Sequence, residues 1–274
     1  MFFYQVDESI KTFAFREDGS CIILAATALA IVNGCVFLYQ FAAFNCTVGE
    51  QQQSVILLVG NGNTGGNTSS MTMKFDVAKN LNANGFTRTG YDFSKWNTKA
   101  NGTGTSYSNK QSVKNLTTVN GGTFYLYAQW TPHTYTIKFN GNGATSGSTA
   151  SMSMTYDVAK NLTANGFKKT GYIFDGWNTN SSGTGTNYTD KQSVKNLTST
   201  NGATVTLYAK WKPITYTIKF DGNGATGGST AQMSMTYDVA KSLTANGFTK
   251  SGYHFSGWNT KADGTGTSYY NKQS

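Results

Sequence analysis

The chain is short of most of the residue types that carry chemistry. Glutamate is absent after Glu50, and the aspartates beyond it are sparse, so a paired-carboxylate glycosidase site is not expected there. Its two histidines, His133 and His254, occupy unrelated places, whereas a metal or nucleophile site needs several convergent groups. All three cysteines, Cys21, Cys35 and Cys46, lie in the first part of the chain. The rest therefore needs neither disulfides nor a reducing compartment, and cysteine usage does not decide localisation. These absences predict a protein that is not an enzyme, with no catalytic residue, cofactor or metal. Proline is nearly absent too: Pro132 and Pro213 are the two that exist, and they stand 81 residues apart.

That spacing is the period of the whole chain. Gly90-Tyr91-Asp92-Phe93-Ser94-Lys95-Trp96-Asn97 returns as Gly171-Tyr172-Ile173-Phe174-Asp175-Gly176-Trp177-Asn178 and again as Gly252-Tyr253-His254-Phe255-Ser256-Gly257-Trp258-Asn259. Consecutive tryptophans of this motif are 81 residues apart, so the 274 residues divide into small tandem units. The division predicted is an N-terminal region 1–54, repeats at 55–131 and 132–212, and a truncated repeat at 213–274. Abundant glycine, Asn and Thr suit short strands joined by turns.

The second repeat shows the expected fold best. Tyr135-Thr136-Ile137-Lys138-Phe139 alternates apolar with polar, as a half-buried strand does. Asn140-Gly141-Asn142-Gly143 reads as a turn, and Met152-Ser153-Met154-Thr155-Tyr156 as the hairpin partner. Asp157 is a candidate cap for a short helix running toward Gly166, and Lys191–Leu197 is a second helix candidate. Thr204–Trp211 closes the unit, with Val205, Leu207, Ala209 and Trp211 on its apolar face. In the aromatic motif, Tyr172 and Phe174 share a strand face, and a bulge at Gly176 would bring Trp177 onto it. Gly257 reads the same way, while Lys95 makes the bulge costlier in the first copy. The first repeat opens with Ser54-Val55-Ile56-Leu57-Leu58, where the alternation is lost. The fold class expected is mainly β, at most α+β.

Cys21–Phe44 is an apolar run, uncharged between Asp18 and Glu50, long enough as a helix to cross a bilayer. It is read as an N-terminal apolar helix serving export or membrane anchoring. Ala28-Leu29-Ala30 resembles a signal-peptidase site and Val32-Asn33-Gly34-Cys35 has the outline of a lipoprotein box. The other readings are a buried helix and a wrongly assigned gene start.

The formal charge is +9, and residues 1–58 carry −3 of it, which leaves +12 on the repeats. Lysines are scattered singly, with no basic cluster interleaved with aromatics, so nucleic acid is not an expected partner. A soluble, solvated face is one reading of that charge, and attraction to an anionic surface polymer is the other. Candidate ligand contacts are Tyr188, placed in a polar loop and expected to be exposed, with Lys168 and Lys169. Gly222-Asn223-Gly224-Ala225-Thr226-Gly227 has dinucleotide-binding spacing, but the alternating strand after it makes it a hairpin turn.

The order Tyr-Thr-Ile-Lys-Phe, Gly-Asn-Gly, Gly-Tyr-x-Phe-x-Gly-Trp-Asn and Leu-Tyr-Ala-Lys-Trp resembles the Listeria-Bacteroides repeat, or internalin B-repeat, over residues 55–274. The resemblance implies tandem β-grasp-like units of bacterial surface proteins, without catalytic residues. It points to an exported cell-envelope or cell-surface protein acting as spacer or adhesion stalk. The alternative is a glycan- or polyanion-binding module acting by avidity, its partner an anionic wall polymer or a host glycan or protein.

Overall fold

The computed structural model describes residues 52–274 and, within residues 1–51, the backbone of four short strands. Phe13–Phe15 pairs with Cys21–Ile23, and Ala28–Val32 with Cys35–Tyr39, both antiparallel. The apolar helix expected over 21–44 is therefore not seen; the rest of that run lies outside the described residues. The β-branched residues of the run favour strands. Among the described residues no helix is long and apolar enough to cross a membrane.

The chain forms two compact units, residues 1–87 with 93–129, and residues 88–92 with 130–274. In the second, Thr134–Asn140 is the opening strand of the central repeat, and it buries Tyr135 and Ile137 while Lys138 faces out. On one edge it pairs antiparallel with Met152–Thr155. On the other it pairs parallel with the closing strand Thr204–Pro213, from Thr136 opposite Thr204 to Asn140 opposite Tyr208. The closing strand runs antiparallel to the aromatic strand Tyr172–Asn178, which pairs in turn with Asn187–Tyr188. The first and last strands of the repeat thus lie side by side at the centre of a five-stranded sheet.

One face of that sheet is the core, built by Tyr135, Ile137, Met154, Leu162, Trp177, Val194, Leu207 and Ala209. The closing strand keeps its expected apolar face, with Leu207 and Ala209 fully buried and Val205 and Trp211 packed against the cluster. Burial of a large apolar side chain is worth roughly 1.5 to 3 kcal/mol, so this one strand is a main contributor to the repeat's stability. Trp211 also donates its indole N–H to the Gly141 carbonyl at 2.8 Å, which ties the closing strand to the loop after the opening strand.

The expected bulge is present. Phe174 lies opposite Trp211 and Trp177 opposite Ala209, so one extra residue stands on the aromatic strand, and Gly176 has φ 103°. Phe174 and Trp177 meet with ring centroids 4.9 Å apart. Tyr172 is the correction to this aromatic row, because its ring lies against Tyr237 instead of joining the core. In the first repeat Lys95 does not take a left-handed backbone, yet Trp96 is fully buried and 5.0 Å from Phe93.

Neither short helix forms. Asp157 and Lys191, the expected starts, have φ of 61° and 59°, and Lys160–Asn161 pairs antiparallel with Ser193–Val194. Asn and β-branched residues are poor helix formers, and here strand pairing puts Leu162 and Val194 into the core. The turn after Asn140 is wider than a tight hairpin, since Ser146–Gly147 leaves it to pair with Phe167–Lys168.

The first repeat has the same strand order. Its opening strand Gln53–Val59 pairs parallel with Thr123–Tyr127 and antiparallel with Met71–Lys74. Its irregular sequence nevertheless alternates in burial, with Ile56 and Leu58 inside and Val55 and Leu57 each 37% exposed. In the third repeat the described residues form two-stranded pairs only, Thr215–Ile218 with Met233–Thr236, Gly227–Gly228 with Phe248–Thr249, and Trp258–Asn259 with Ser268–Tyr269. The Gly222–Gly227 segment is a loop leading into one of these strands, so its glycine spacing meets no helix N-terminus. Tyr216 is 46% exposed where its counterpart Tyr135 is 2% exposed.

Candidate functional site

The second unit contains a set of contacts that occurs twice, at the passage from one repeat to the next. Pro213 ends the closing strand and Thr215 begins the following opening strand, so Ile214 alone stands between them. Its N–H donates to the Gly171 carbonyl and its own carbonyl accepts from Tyr237 N–H, each at 2.9 Å. The linking residue is thus hydrogen-bonded to the repeat before it and the repeat after it. Tyr172, opposite Pro213 in the sheet, donates its hydroxyl to Asp238 Oδ2 at 2.9 Å, and its ring meets Tyr237 edge-on at 5.8 Å. Gly171, at φ 77°, is required by this approach, because a Cβ there would overlap the Tyr237 ring. Lys169 Nζ sits 4.3 Å from the Tyr172 ring centroid, on its face.

The segment Arg88–Asp92, which belongs to the same unit, repeats the arrangement. His133 N–H donates to the Gly90 carbonyl at 2.8 Å, and Tyr156 N–H to the His133 carbonyl at 2.9 Å. Tyr91 donates to Asp157 Oδ2 at 2.9 Å and meets Tyr156 at 5.8 Å, with Arg88 Cζ 3.9 Å above the Tyr91 ring. Asp157 is itself held: Asn196 Oδ1 accepts its backbone N–H at 2.7 Å, and Asn196 Nδ2 donates to its carboxylate at 2.8 Å. The Asn196 bond first, and the Tyr91 bond second, hold the Asp157 carboxyl below the usual carboxylate range. On the other side of each pair the tyrosine pKa is raised, at Tyr172 mainly by the bond to Asp238 and at Tyr91 mainly by desolvation. At Tyr91 and Asp157 the neutral tyrosine donor and the ionised carboxylate acceptor are therefore mutually stabilised.

The residues expected to meet a ligand are placed differently from one another. Tyr188 is not the exposed ring expected: it is half-buried against the core, where desolvation raises its pKa. Pairing of Asn187–Tyr188 with the aromatic strand put it there, a tertiary event that a polar local sequence conceals. Lys168 is exposed on the strand Phe167–Lys168, and Lys169 is placed on Tyr172. His254 is exposed. Among the described residues no three His, Cys, Asp or Glu side chains are grouped to hold a metal.

Sequence reasoning missed the joint residues Tyr172, Asp238, Tyr91 and Asp157. The available signal was that a Gly-Tyr pair and a Tyr-Asp or Phe-Asp pair recur with the repeat period although neither is explained by strand alternation. It also missed Asn97 and Asn178, which are fully buried polar residues. Asn178 Nδ2 lies within 2.8 to 3.2 Å of Gly183 O, Gly185 O and Asn187 Oδ1, and its Oδ1 accepts from Asn180 N–H and Gly185 N–H. One side chain thereby organises the whole loop that follows the aromatic strand.

Comparison with known proteins gives three matches to one family: the profile of the Listeria-Bacteroides repeat domain covers residues 60–129, 135–210 and 216–274. A protein of Evansella cellulosilytica named as a Gly-rich membrane protein is 32% identical over 173 residues, 62% of this chain and 19% of that protein. A second protein of that organism, named as a membrane protein, is 27% identical over 150 residues, 53% of this chain and 20% of that protein. The chain therefore spans about a fifth of the length of each of these relatives.

Proposed function

Because the chain belongs to the Listeria-Bacteroides repeat domain family, we propose that it acts as a non-catalytic spacer or adhesion stalk of an exported bacterial envelope protein. The observation that carries this reading is the twice-built joint in the second unit. A one-residue connection bonded on both sides, a tyrosine–carboxylate hydrogen bond and an edge-on tyrosine pair resist bending more than a solvated linker does. A stalk needs that property, and a ligand-binding module does not. The parallel pairing of first and last strands at the sheet centre supports a β-grasp-like unit in which strand pairs replace the helix. The names of the relatives support a membrane or envelope location for the larger proteins that carry such repeats.

Cell fractionation of the full-length gene product tests the location. Recovery in the envelope fraction is expected, and recovery in the cytosol alone with an intact N-terminus refutes the proposal. A second reading, binding of an anionic wall polymer or glycan by avidity, is favoured by the +12 charge of the repeats and by one cation resting on a tyrosine in each, Arg88, Lys169 and Lys250. Lys168, exposed beside Lys169, is the contact to test first. Binding that is present at low salt and falls steeply as salt rises supports this reading, and no binding at low salt leaves the spacer.

A further inference from the structure

We propose that His133 is a proton-operated clamp that holds the Arg88–Asp92 segment on the central repeat, a device that the equivalent position Ile214 lacks. This rests on the joint described above and deepens the spacer reading by making one connection responsive to pH.

The argument is one of donors and acceptors. His133 Nδ1 is 2.6 Å from the Ser199 carbonyl oxygen, which can only accept, so Nδ1 carries a proton. Nε2 is buried and lies 3.0 Å from Asp92 Oδ1, an ion-pair distance without the alignment of a hydrogen bond. In a neutral ring with its proton on Nδ1, an uncharged Nε2 lone pair would be buried 3.0 Å from a carboxylate oxygen. Moving the proton to Nε2 would instead set the Nδ1 lone pair against the Ser199 carbonyl. Only the imidazolium both donates from Nδ1 to Ser199 and sets a positive charge against the Asp92 carboxylate. The side chain is 16% exposed, so water does not readily take over either contact, while Asp92 is 67% exposed and free to turn away when the attraction is lost.

Among the described residues Asp92 is the one charge acting on the ring. On the segment itself, Arg88 lies over Tyr91, and Tyr91 donates to Asp157. From the turn at 156–157, Tyr156 contributes its backbone N–H to His133 O, and Asp157 is turned toward Asn196, Tyr91 and Lys195. From the loop before the closing strand come the Ser199 carbonyl and neutral Asn201, whose Nδ2 is 3.5 Å from Asp92 Oδ2. The histidine pKa is accordingly raised above its ordinary 6.5, first by the Ser199 carbonyl and then by Asp92, with burial acting weakly against them. A group whose folded-state value is raised stabilises fully below the unfolded value. The clamp is therefore closed below 6.5 and released as pH rises through the elevated value.

Two measurements on the intact chain test this. The His133 Cε1–H resonance followed against pH is expected to titrate above 6.5, and Asp92→Asn to lower that midpoint. Each unit of elevation corresponds to about a tenfold preference for the protonated form in the clamped state. Amide exchange, corrected for intrinsic chemistry, is then compared at His133 and Ile214, whose N–H groups bond to equivalent glycine carbonyls. Between about pH 5.5 and about pH 8.5 protection at His133 is expected to fall relative to Ile214, and His133→Ile to abolish the difference. A wild-type midpoint at or below the ordinary value overturns the proposal, and so does a His133 to Ile214 ratio that does not change with pH. Neither outcome bears on the cell-fraction experiment, so the clamp and the spacer reading fail separately.

Discussion

Replacing Asn178 with alanine probes how a short loop of polar residues is given one shape. The side chain is fully buried and makes five polar contacts: the two Nδ2 hydrogens are shared among three acceptors, and Oδ1 accepts from two N–H groups. A typical net hydrogen bond contributes about 1 kcal/mol, and a buried group left unpaired costs about 1 to 3 kcal/mol. Alanine removes all five contacts, but the Gly183 and Gly185 groups lie in a loop that can open to water and recover part of the loss. The expected destabilisation of the central repeat is therefore about 3 to 5 kcal/mol, a large share of the roughly 5 to 15 kcal/mol that holds a domain folded. Because the chain carries several repeats and need not unfold in one step, the readout is native-state amide exchange at Ile137 and Leu207 in the core of that repeat. Asn180→Ala is the control: its Oδ1 accepts only from Ser182 N–H and Ser182 Oγ, both at 2.9 Å and exposed, and a change below about 1 kcal/mol is expected. If Asn178→Ala and Asn180→Ala proved equally mild, the idea that one buried amide organises this loop would be wrong.

Gly171→Ala and Gly252→Ala separate backbone strain from packing at the joint. Both glycines have positive φ, but a Cβ at Gly171 overlaps the Tyr237 ring while one at Gly252 meets nothing within 4 Å. Exchange at the Ile214 amide is expected to quicken at least tenfold in Gly171→Ala, whereas Gly252→Ala should cost only the roughly 1 kcal/mol of the left-handed backbone and leave Ile214 unchanged. Acid is expected to weaken the Tyr91–Asp157 contact. The Asp157 pKa is lowered from 3.8, so its contribution is present above that value and disappears as pH falls through the lower folded-state value, which the Asp157 carboxyl carbon resonance would report. In the third repeat the Tyr216–Phe220 amides should exchange faster than those of Tyr135–Phe139, since Tyr216 is 46% exposed and Phe255 is 41% exposed. Equal protection would mean that this exposure does not loosen the strand.

Much of this architecture was legible from local pattern. The period of 81, the alternation of Tyr135 to Phe139, the apolar face of Val205 to Trp211 and the bulge at Gly176 all follow from the two-residue pleat of a strand. Such features depend on residues within a few positions of one another, so a single chain of letters contains them. Three other matters depended on what came to lie alongside. Asp157 and Lys191 looked like helix starts, but Lys160–Asn161 and Ser193–Val194 found each other across about thirty residues, a separation at which local propensity carries little information. Tyr188 sat in a polar stretch and was drawn into the core by pairing beside Trp177. Tyr172 obeyed its strand's alternation, yet the ring met Tyr237 because the next repeat, joined through one residue, arrives within reach of that end of the strand. The sequence by itself determined the repeat and the inward faces of its opening and closing strands, since these are set by covalent neighbours. Tertiary structure decided the strand order, the joint and the environment of His133, since each is made by groups that only folding brings within hydrogen-bonding distance.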